Sequence, residues 1–368
     1  MHRFTWADVC ARRLARHGLS TPLAAQPVDV VKAMAGTHAQ VMSAAELGIA
    51  LRIDGATRAD VQNAPGLVKT FGPRGTVHFL PEADLPLWLG ALAAVPTGPN
   101  PFDETVRMTA EQTEEVITAI GKALHGTELT VDELTDALAS LVGPWAAEKV
   151  MPAFQDYWPR WRTVTHLAAI RGVLCFGANK GRKVTYTNPG AAPAPAAPSL
   201  RHVLHSYIGA YGPSTPQRFA HWLNGPVKWA AEVFASADLE QVEVEGELAW
   251  NLPGDTAVPE SAGCVRLLPY FDGYAYRVGN QPPSLLYPGK AKERVLPQNF
   301  QYLIVDGTVA GLWHQRKSGR RVDITVEALV KLDKRRRAEL DQQAQRVGEI
   351  IGATPNLTLG EVTVGGHA

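Results

Sequence analysis

The chain has 368 residues, 45% hydrophobic and 20% charged, and its 36 basic residues balance 36 acidic ones. That length exceeds one small core and calls for about two or three packed units, and the composition is that of a globular protein, not a fibrous or disordered one. No apolar run approaches the roughly 20 residues of a membrane span. The N-terminus carries Asp8 early and reads as an amphipathic helix, not a signal peptide. Cys10, Cys175 and Cys264 lie far apart in no paired spacing, as buried thiols of a cytoplasmic protein do. The 11 histidines show no HxxxH or paired Cys/His spacing, so no metal or other cofactor is expected.

In chain order, Trp6, Val9, Cys10, Leu14 and His17 fall at helical spacing, and Gly18 closes that helix. A second helix over 27–35 should stop at Gly36. Ser43 and Glu46 have capping-box spacing, which predicts a third helix beginning just after Ser43 and ending near 52–55. Between the two runs Thr37-His38-Ala39-Gln40-Val41. In extended backbone alternate side chains share a face, so His38 and Gln40 project together. They either form a site or merely satisfy the loop's own backbone. Strands over 67–71 and 76–80 flank the turn Gly72-Pro73-Arg74-Gly75, a hairpin signature. Three helices and a hairpin are the plan of a winged helix, here spanning 1–98.

The plan returns over 99–188. After a connecting helix at 81–95 and a Pro/Gly-rich link at 96–101, the pairs Thr109/Gln112 and Thr130/Glu133 open two helices with capping boxes. An aromatic segment with Trp145, Trp158 and Trp161, either core or a base-stacking platform, leads to a third helix ending near Gly172. Strands at 173–176 and 183–187 form a hairpin with a basic tip. The Ala-Pro run 189–198 reads as a stiff linker. A third unit, 199–260, has helices at 199–211, 215–223 and 226–235 and a hairpin of 241–245 with 248–251. From 261 the texture turns to short strands at 265–268, 302–305, 309–314 and 321–325, with Asp306-Gly307 as a hairpin turn. An amphipathic helix over 326–351 completes a β-rich lobe spanning 261–354, and 355–368 reads as a flexible tail. The expected class is α+β, mainly helical, with three tandem winged-helix units forming a concave scaffold beside that lobe and its C-terminal helix.

The neutral total conceals clusters. Acidic residues gather over 111–136 and 240–247. Basic residues gather at Lys180, Arg182 and Lys183, at Arg316, Lys317, Arg320 and Arg321, and over 331–337. Local field, not net charge, attracts a polyanion, although solvated turns and a helix surface would look the same.

Four stretches carry a family resemblance: residues 37–51; Arg74-Gly75-Thr76-Val77-His78; residues 167–177; and Leu267-Leu268-Pro269-Tyr270-Phe271-Asp272 together with residues 305–313. In their order and spacing the chain resembles the AlkZ-like DNA glycosylases, the YcaQ-type winged-helix family, over nearly its whole length. The resemblance implies an enzyme that excises N7-alkylated purines, some members removing bulky lesions or crosslinks made by genotoxic natural products. It implies double-stranded DNA carrying alkylated guanine as partner, no membrane, no obligate protein partner and a monomer. The family's catalytic Gln-x-Gln or Gln-x-Asp tripeptide lies in the loop of the first winged helix, the place held here by His38-Ala39-Gln40. Gln40 carries over as the water-positioning residue. His38 departs from the Gln pattern and matches a His-x-Gln branch among self-resistance enzymes of antibiotic producers. The basic hairpins at Lys180, Arg182, Lys183 and at Arg316, Lys317, Arg320, Arg321 become DNA grips. Arg74 and His78 match the wing motif, although an internal salt bridge or core hydrogen bond explains them equally well. A non-enzymatic winged-helix regulator and a protein that sequesters free genotoxin also fit this sequence.

Overall fold

The computed structural model describes residues 1–100, 102–153, 156–260, 263–275 and 281–366. The chain divides into two compact units, Met1–Gly66 with Leu204–Ala368, and Leu67–Val203. These units do not follow the serial order of the expected domains. The division at Gly66 assigns the four N-terminal helices, the fourth being Arg58–Gln62, and the hairpin after them to different units, and the second division falls inside the helix Ala196–Tyr211.

The first unit begins with helix α1 (Trp6–Arg16), opened by a Thr5/Asp8 capping box and burying Val9, Cys10 and Leu14 as their spacing predicts. Ahead of it lies an unforeseen strand, His2–Phe4, which pairs in parallel with Glu240–Val244. Helix α2 (Pro27–Ala33) starts with Pro at its first position, where a missing N–H costs nothing. It ends where Ala35 (φ 52°) and Gly36 (φ 90°) turn left-handed, and the Gly36 amide bonds the Val31 carbonyl at 2.9 Å. Helix α3 (Met42–Ala50) corrects one expectation. Its N-cap is Val41, which makes no side-chain cap, and Ser43 sits exposed within the first turn. Glu46 instead turns inward, 3% exposed, and accepts from Arg58 Nε at 2.8 Å and Gln62 Nε2 at 2.9 Å. Two side-chain donors that satisfy the buried carboxylate outcompete a solvent-exposed cap.

Further along, Pro216–Leu223 and Val227–Ala235 are helices and Glu240–Val244 pairs antiparallel with Glu247–Asn251, close to the expected third unit. The lobe is a five-stranded sheet. Its strands are β1 (Val265–Leu268), β2 (Gln301–Val305), β3 (Thr308–Ser318) and β4 (Arg321–Ala328), followed by helix α4 (Lys334–Ile351) and strand β5 (Thr354–Leu359). The spatial order is β1-β2-β3-β4-β5, antiparallel except for β5 beside β4. Asp306 (φ 50°) and Gly307 (φ 87°) make the tight turn that the dipeptide predicts.

Two boundaries differ from expectation. Val322, Ile324 and Val326 are buried at every second position, so β4 runs to Ala328 and α4 begins only after the Asp333 cap. Residues 355–359, which by sequence start a loose tail, join Thr354 in β5 because β4 offers a free edge that satisfies their backbone; residues 367 and 368 lie outside the described residues.

In the second unit both predicted capping boxes are present, Thr109 with Gln112 and Thr130 with Glu133. Strands Leu67–Phe71 and Val77–Pro81 pair antiparallel. Helices Leu85–Ala93, Ala110–Ala123, Val131–Leu141 and Thr165–Ile170 surround a core that includes Val116, Ile120, Leu134, Leu138, Ala168 and Leu174. Trp161 is fully buried there and its indole N–H donates to Thr135 Oγ1 at 3.0 Å, which makes it core. Trp158 stays 36% exposed with the Arg162 guanidinium 3.8 Å from its ring centre. An additional hairpin, Lys149–Pro152 with Tyr157–Pro159, occupies this aromatic segment; residues 154 and 155 of the segment and 101 of the Pro/Gly-rich link lie outside the described residues. The Ala-Pro run is packed: the Ala194 amide bonds the Pro86 carbonyl at 2.9 Å, and a Cβ at Gly90 would collide with the Ala194 oxygen.

Candidate active site

Thr37–His38 is a two-residue extended segment leading through Ala39–Val41 into α3. Burial alternates along it. Thr37 is 5% and Ala39 0% exposed, whereas His38 is half-buried and Gln40 is exposed. The alternation is that of extended backbone, and it leaves the two polar side chains on the open side.

The segments flanking this loop are tied down at both ends. Before it, the Met34 carbonyl after α2 accepts from the buried Tyr211 hydroxyl at 2.7 Å. After it, the Arg52 guanidinium donates to the Gly48 carbonyl at 2.7 Å and to both oxygens of Asp272 at 2.8 and 2.7 Å. The side chains of that pair are 0% and 1% exposed. Asp272 is further held by the Tyr274 amide at 2.9 Å. A buried, bidentate ion pair is costly to break from one side, about 3–5 kcal/mol. Arg346 of α4 donates to the carbonyls of Ala50, Ile53 and Ala56 at 3.2, 3.1 and 2.6 Å, which satisfies the C-terminal end of α3.

Between these anchors, the His38 ring meets the ring of Phe271, centres 4.9 Å apart and planes inclined at 43°. Phe271 is 7% exposed and left-handed (φ 60°), a conformation that costs a bulky L-residue roughly 1–2 kcal/mol. Deeper in the unit His17 Nε2 lies 3.1 Å from the Ala210 carbonyl, with its ring edge-on to Tyr211 at 5.2 Å. Burial, then the positive charges of Arg52 and Arg13, push His17 well below the ordinary imidazole range, so it is a neutral structural residue.

Sequence reasoning does not single out Phe271, Asp272, Arg52 or Tyr211 as site residues. Residues 267–272 stand out there only as a stretch of family resemblance. No periodicity connects Asp272 to Arg52 across 220 positions or Tyr211 to Met34 across 177.

The basic clusters separate once their partners are seen. Arg316, Arg320 and Arg321 are exposed at the β3–β4 hairpin tip. Register places Arg316 opposite Asp323 and Ser318 opposite Arg321, so Arg316 and Arg321 share one face and Lys317 lies on the other. Lys317 Nζ bonds the Ile351 carbonyl at 2.7 Å, at the negative end of α4. In the second unit Lys180 Nζ reaches the Glu128 carbonyl at 2.9 Å and Glu133 at 3.2 Å, while Lys183 reaches Asp132 at 2.9 Å and Arg182 is exposed. Part of the acidic run and the basic tip therefore face each other through solvent-screened, exposed pairs. Over 331–337, Arg335 pairs with Glu339, Arg336 with Asp306, and Arg337 Nε bonds the Leu332 carbonyl, so much of that run organises the start of α4.

Of the wing residues, His78 is 4% exposed with Nδ1 2.9 Å from the Thr76 carbonyl, inside its own hairpin. Arg74 is half-buried at φ 62° in the turn. Burial pushes the Cys175 thiol up to about 12 and raises that of Cys264, which leaves neither a nucleophile near neutral pH. Among the described residues no group of three or more His, Cys, Asp or Glu could hold a metal ion, and no helix is long and apolar enough to cross a membrane.

This architecture has known relatives. The chain is similar to the solved structure of Streptomyces sahachiroi DNA glycosylase AlkZ, with a TM-score of 0.82 and 26% identity over 97% of this chain and 100% of that one. It is 31% identical over 335 residues to an interstrand DNA cross-link repair glycosylase of the same organism, covering 84% of this chain and 87% of the relative. Residues 31–350 match the family model described as DNA glycosylase AlkZ-like. A family match across most of the chain, a relative at that identity and a common α+β fold agree: the protein is a DNA glycosylase of the AlkZ-like family.

Proposed function

We propose that the enzyme hydrolyses the N-glycosidic bond of cationic N7-alkylguanine in duplex DNA, with Gln40 orienting the attacking water and His38 taking its proton. The observation that carries this reading is the placement of His38 and Gln40 on the open side of a loop whose flanking segments are fixed by Tyr211 and by Arg52–Asp272. A catalytic constellation needs such support, since small misplacements are expensive in rate.

N7-alkylation makes guanine cationic, so the base departs with the bonding electron pair as a neutral molecule and needs no general acid. The remaining task is to place a water against C1′ of an oxocarbenium-like sugar. The Gln40 amide oxygen accepts from that water and aims it; the neutral His38 imidazole receives the proton as the C1′–O bond forms. Neither residue brings a carboxylate charge to the sugar, so neutral bases, which leave poorly, are refused. Selectivity for cationic lesions then follows from chemistry as well as from fit.

The Streptomyces sahachiroi relative is named for interstrand cross-link repair, which supports bulky adducts and crosslinks as substrates here; self-resistance is the role that we propose with them. In this reading the three sets of helices and hairpins act as winged helices on the duplex. Arg316, Arg320 and Arg321, with Lys180, Arg182 and Lys183, then grip phosphate or enter the minor groove.

The test is single-turnover excision from duplexes carrying N7-methylguanine or a bulky N7-guanine adduct, read as strand cleavage at the abasic site. His38→Ala and Gln40→Ala should each lower the rate by about 10²-fold or more, in the range of general acid–base contributions. Release unchanged in both variants sinks the assignment. No release by wild type, with DNA binding intact, points to a non-enzymatic binder of such lesions.

A further inference from the structure

Phe271 has two features that its own packing does not explain. It is a bulky residue in the left-handed region where glycine is the ordinary occupant. Its ring lies against the half-buried His38, and it is followed at once by a buried carboxylate in a bidentate ion pair, Asp272. Strain of this kind persists only when the surroundings over-determine it, and Asp272 supplies that determination. Both its oxygens are taken by Arg52, which itself bonds Gly48 within α3. The helix that begins just after Gln40 therefore holds, through Arg52 and Asp272, the turn that carries Phe271 back against His38. The loop and its backing form a closed mechanical circuit within one unit.

We propose that Phe271 is the positioning residue of the active-site loop, its ring fixing the plane and direction of the His38 imidazole toward the attacking water. The inference rests on the assignment of His38 as proton acceptor. A flat aromatic wall at 4.9 Å restricts rotation about the His38 side chain without donating or accepting a proton. It also keeps bulk water off that side of the imidazole. An aliphatic side chain of similar volume preserves burial and gives up the wall. Phe271 touches neither water nor sugar in this scheme; it acts through His38 alone.

The experiment is a double-mutant cycle on the full-length enzyme, using single-turnover excision of N7-methylguanine from duplex DNA. Phe271→Leu should lower the maximal rate about tenfold or more while the DNA concentration for half-maximal rate stays within about twofold, and Phe271→Tyr should restore the rate to within about threefold. In the His38→Ala background Phe271→Leu should cost nothing further, since its effect runs through the removed imidazole. Phe271→Met, flexible enough to fill the gap, replaces the leucine variant if that one fails to fold. Equal losses with and without His38, or a leucine variant as fast as wild type, overturn the proposal. If His38→Ala alone is as fast as wild type, the assignment of His38 fails instead, a result distinct from the other two.

Discussion

Arg52 and Asp272, 220 positions apart, meet through hydrogen bonds of 2.8 and 2.7 Å with both side chains out of solvent. The pair links α3, which leaves the candidate active-site loop, to the turn that follows β1. Removing either charge alone strands the other in the interior. Arg52→Ala or Asp272→Ala should each cost about 3–5 kcal/mol of unfolding free energy, and the paired replacement Arg52→Met/Asp272→Leu should cost much less than the sum of the single losses. Urea unfolding measures all of these, and strict additivity would contradict the buried-pair account.

Ser43 and Glu46 separate a local expectation from a tertiary outcome. A capping box would make Ser43→Ala cost about 1 kcal/mol. In the structure Ser43 caps nothing while Glu46 accepts from Arg58 and Gln62. Ser43→Ala should therefore stay within about 0.5 kcal/mol, whereas Glu46→Ala should lose about 1.5–3 kcal/mol with its charged hydrogen bonds. Reversal of that order in thermal or chemical denaturation would reinstate the cap.

The β3–β4 hairpin predicts a split among neighbouring cations. Arg316→Glu or Arg321→Glu should weaken duplex binding and flatten the plot of log affinity against log salt by about 0.9 for each phosphate that is no longer neutralised. Lys317→Ala should leave that slope alone and cost about 0.3–1 kcal/mol of stability, because its ammonium serves the end of α4. Fluorescence anisotropy across a salt series checks both, and a slope change confined to Lys317→Ala would refute the division.

Glu133 carries a pH signature. The Thr130 backbone amide first, then the Thr130 hydroxyl and Lys180, lower its carboxyl from 4.5 to about 2. A carboxyl lowered by folding contributes stability that is complete above its unfolded value and is lost as pH falls through the folded one. The stability that this cap gives helix Val131–Leu141 should thus be complete above about pH 4.5 and decline as pH falls toward about 2. A carbon-detected NMR titration of Glu133 should show an upward shift in Thr130→Ala, which keeps the backbone amide, and in Lys180→Ala; an ordinary midpoint in wild type would disprove the arrangement.

Legibility in the sequence tracks the range of the interactions concerned. The capping boxes at Thr109 and Thr130, the exposed-against-buried alternation at His38 and Gln40, and the Asp306-Gly307 turn are all decided within four residues, and each stands in the structure where the letters put it. Val326 reads by sequence as the start of a helix, although it is the third of three alternating buried residues completing β4. The strand Thr354–Leu359 carries Pro355 and Asn356, poor strand formers, and exists because β4 offers it a partner.

What the sequence by itself determined was most of the longer helices, the tight turns and the face on which His38 and Gln40 stand, because backbone period and capping are properties of neighbours. Only the tertiary structure decided what lies behind that loop: that Glu46 leaves its cap for Arg58, that Lys317 serves a helix end, and that Asp272 and Phe271 return to Arg52 and His38. Such contacts are chosen by burial and by the pairing of charges across distant segments, and no spacing along the chain encodes them.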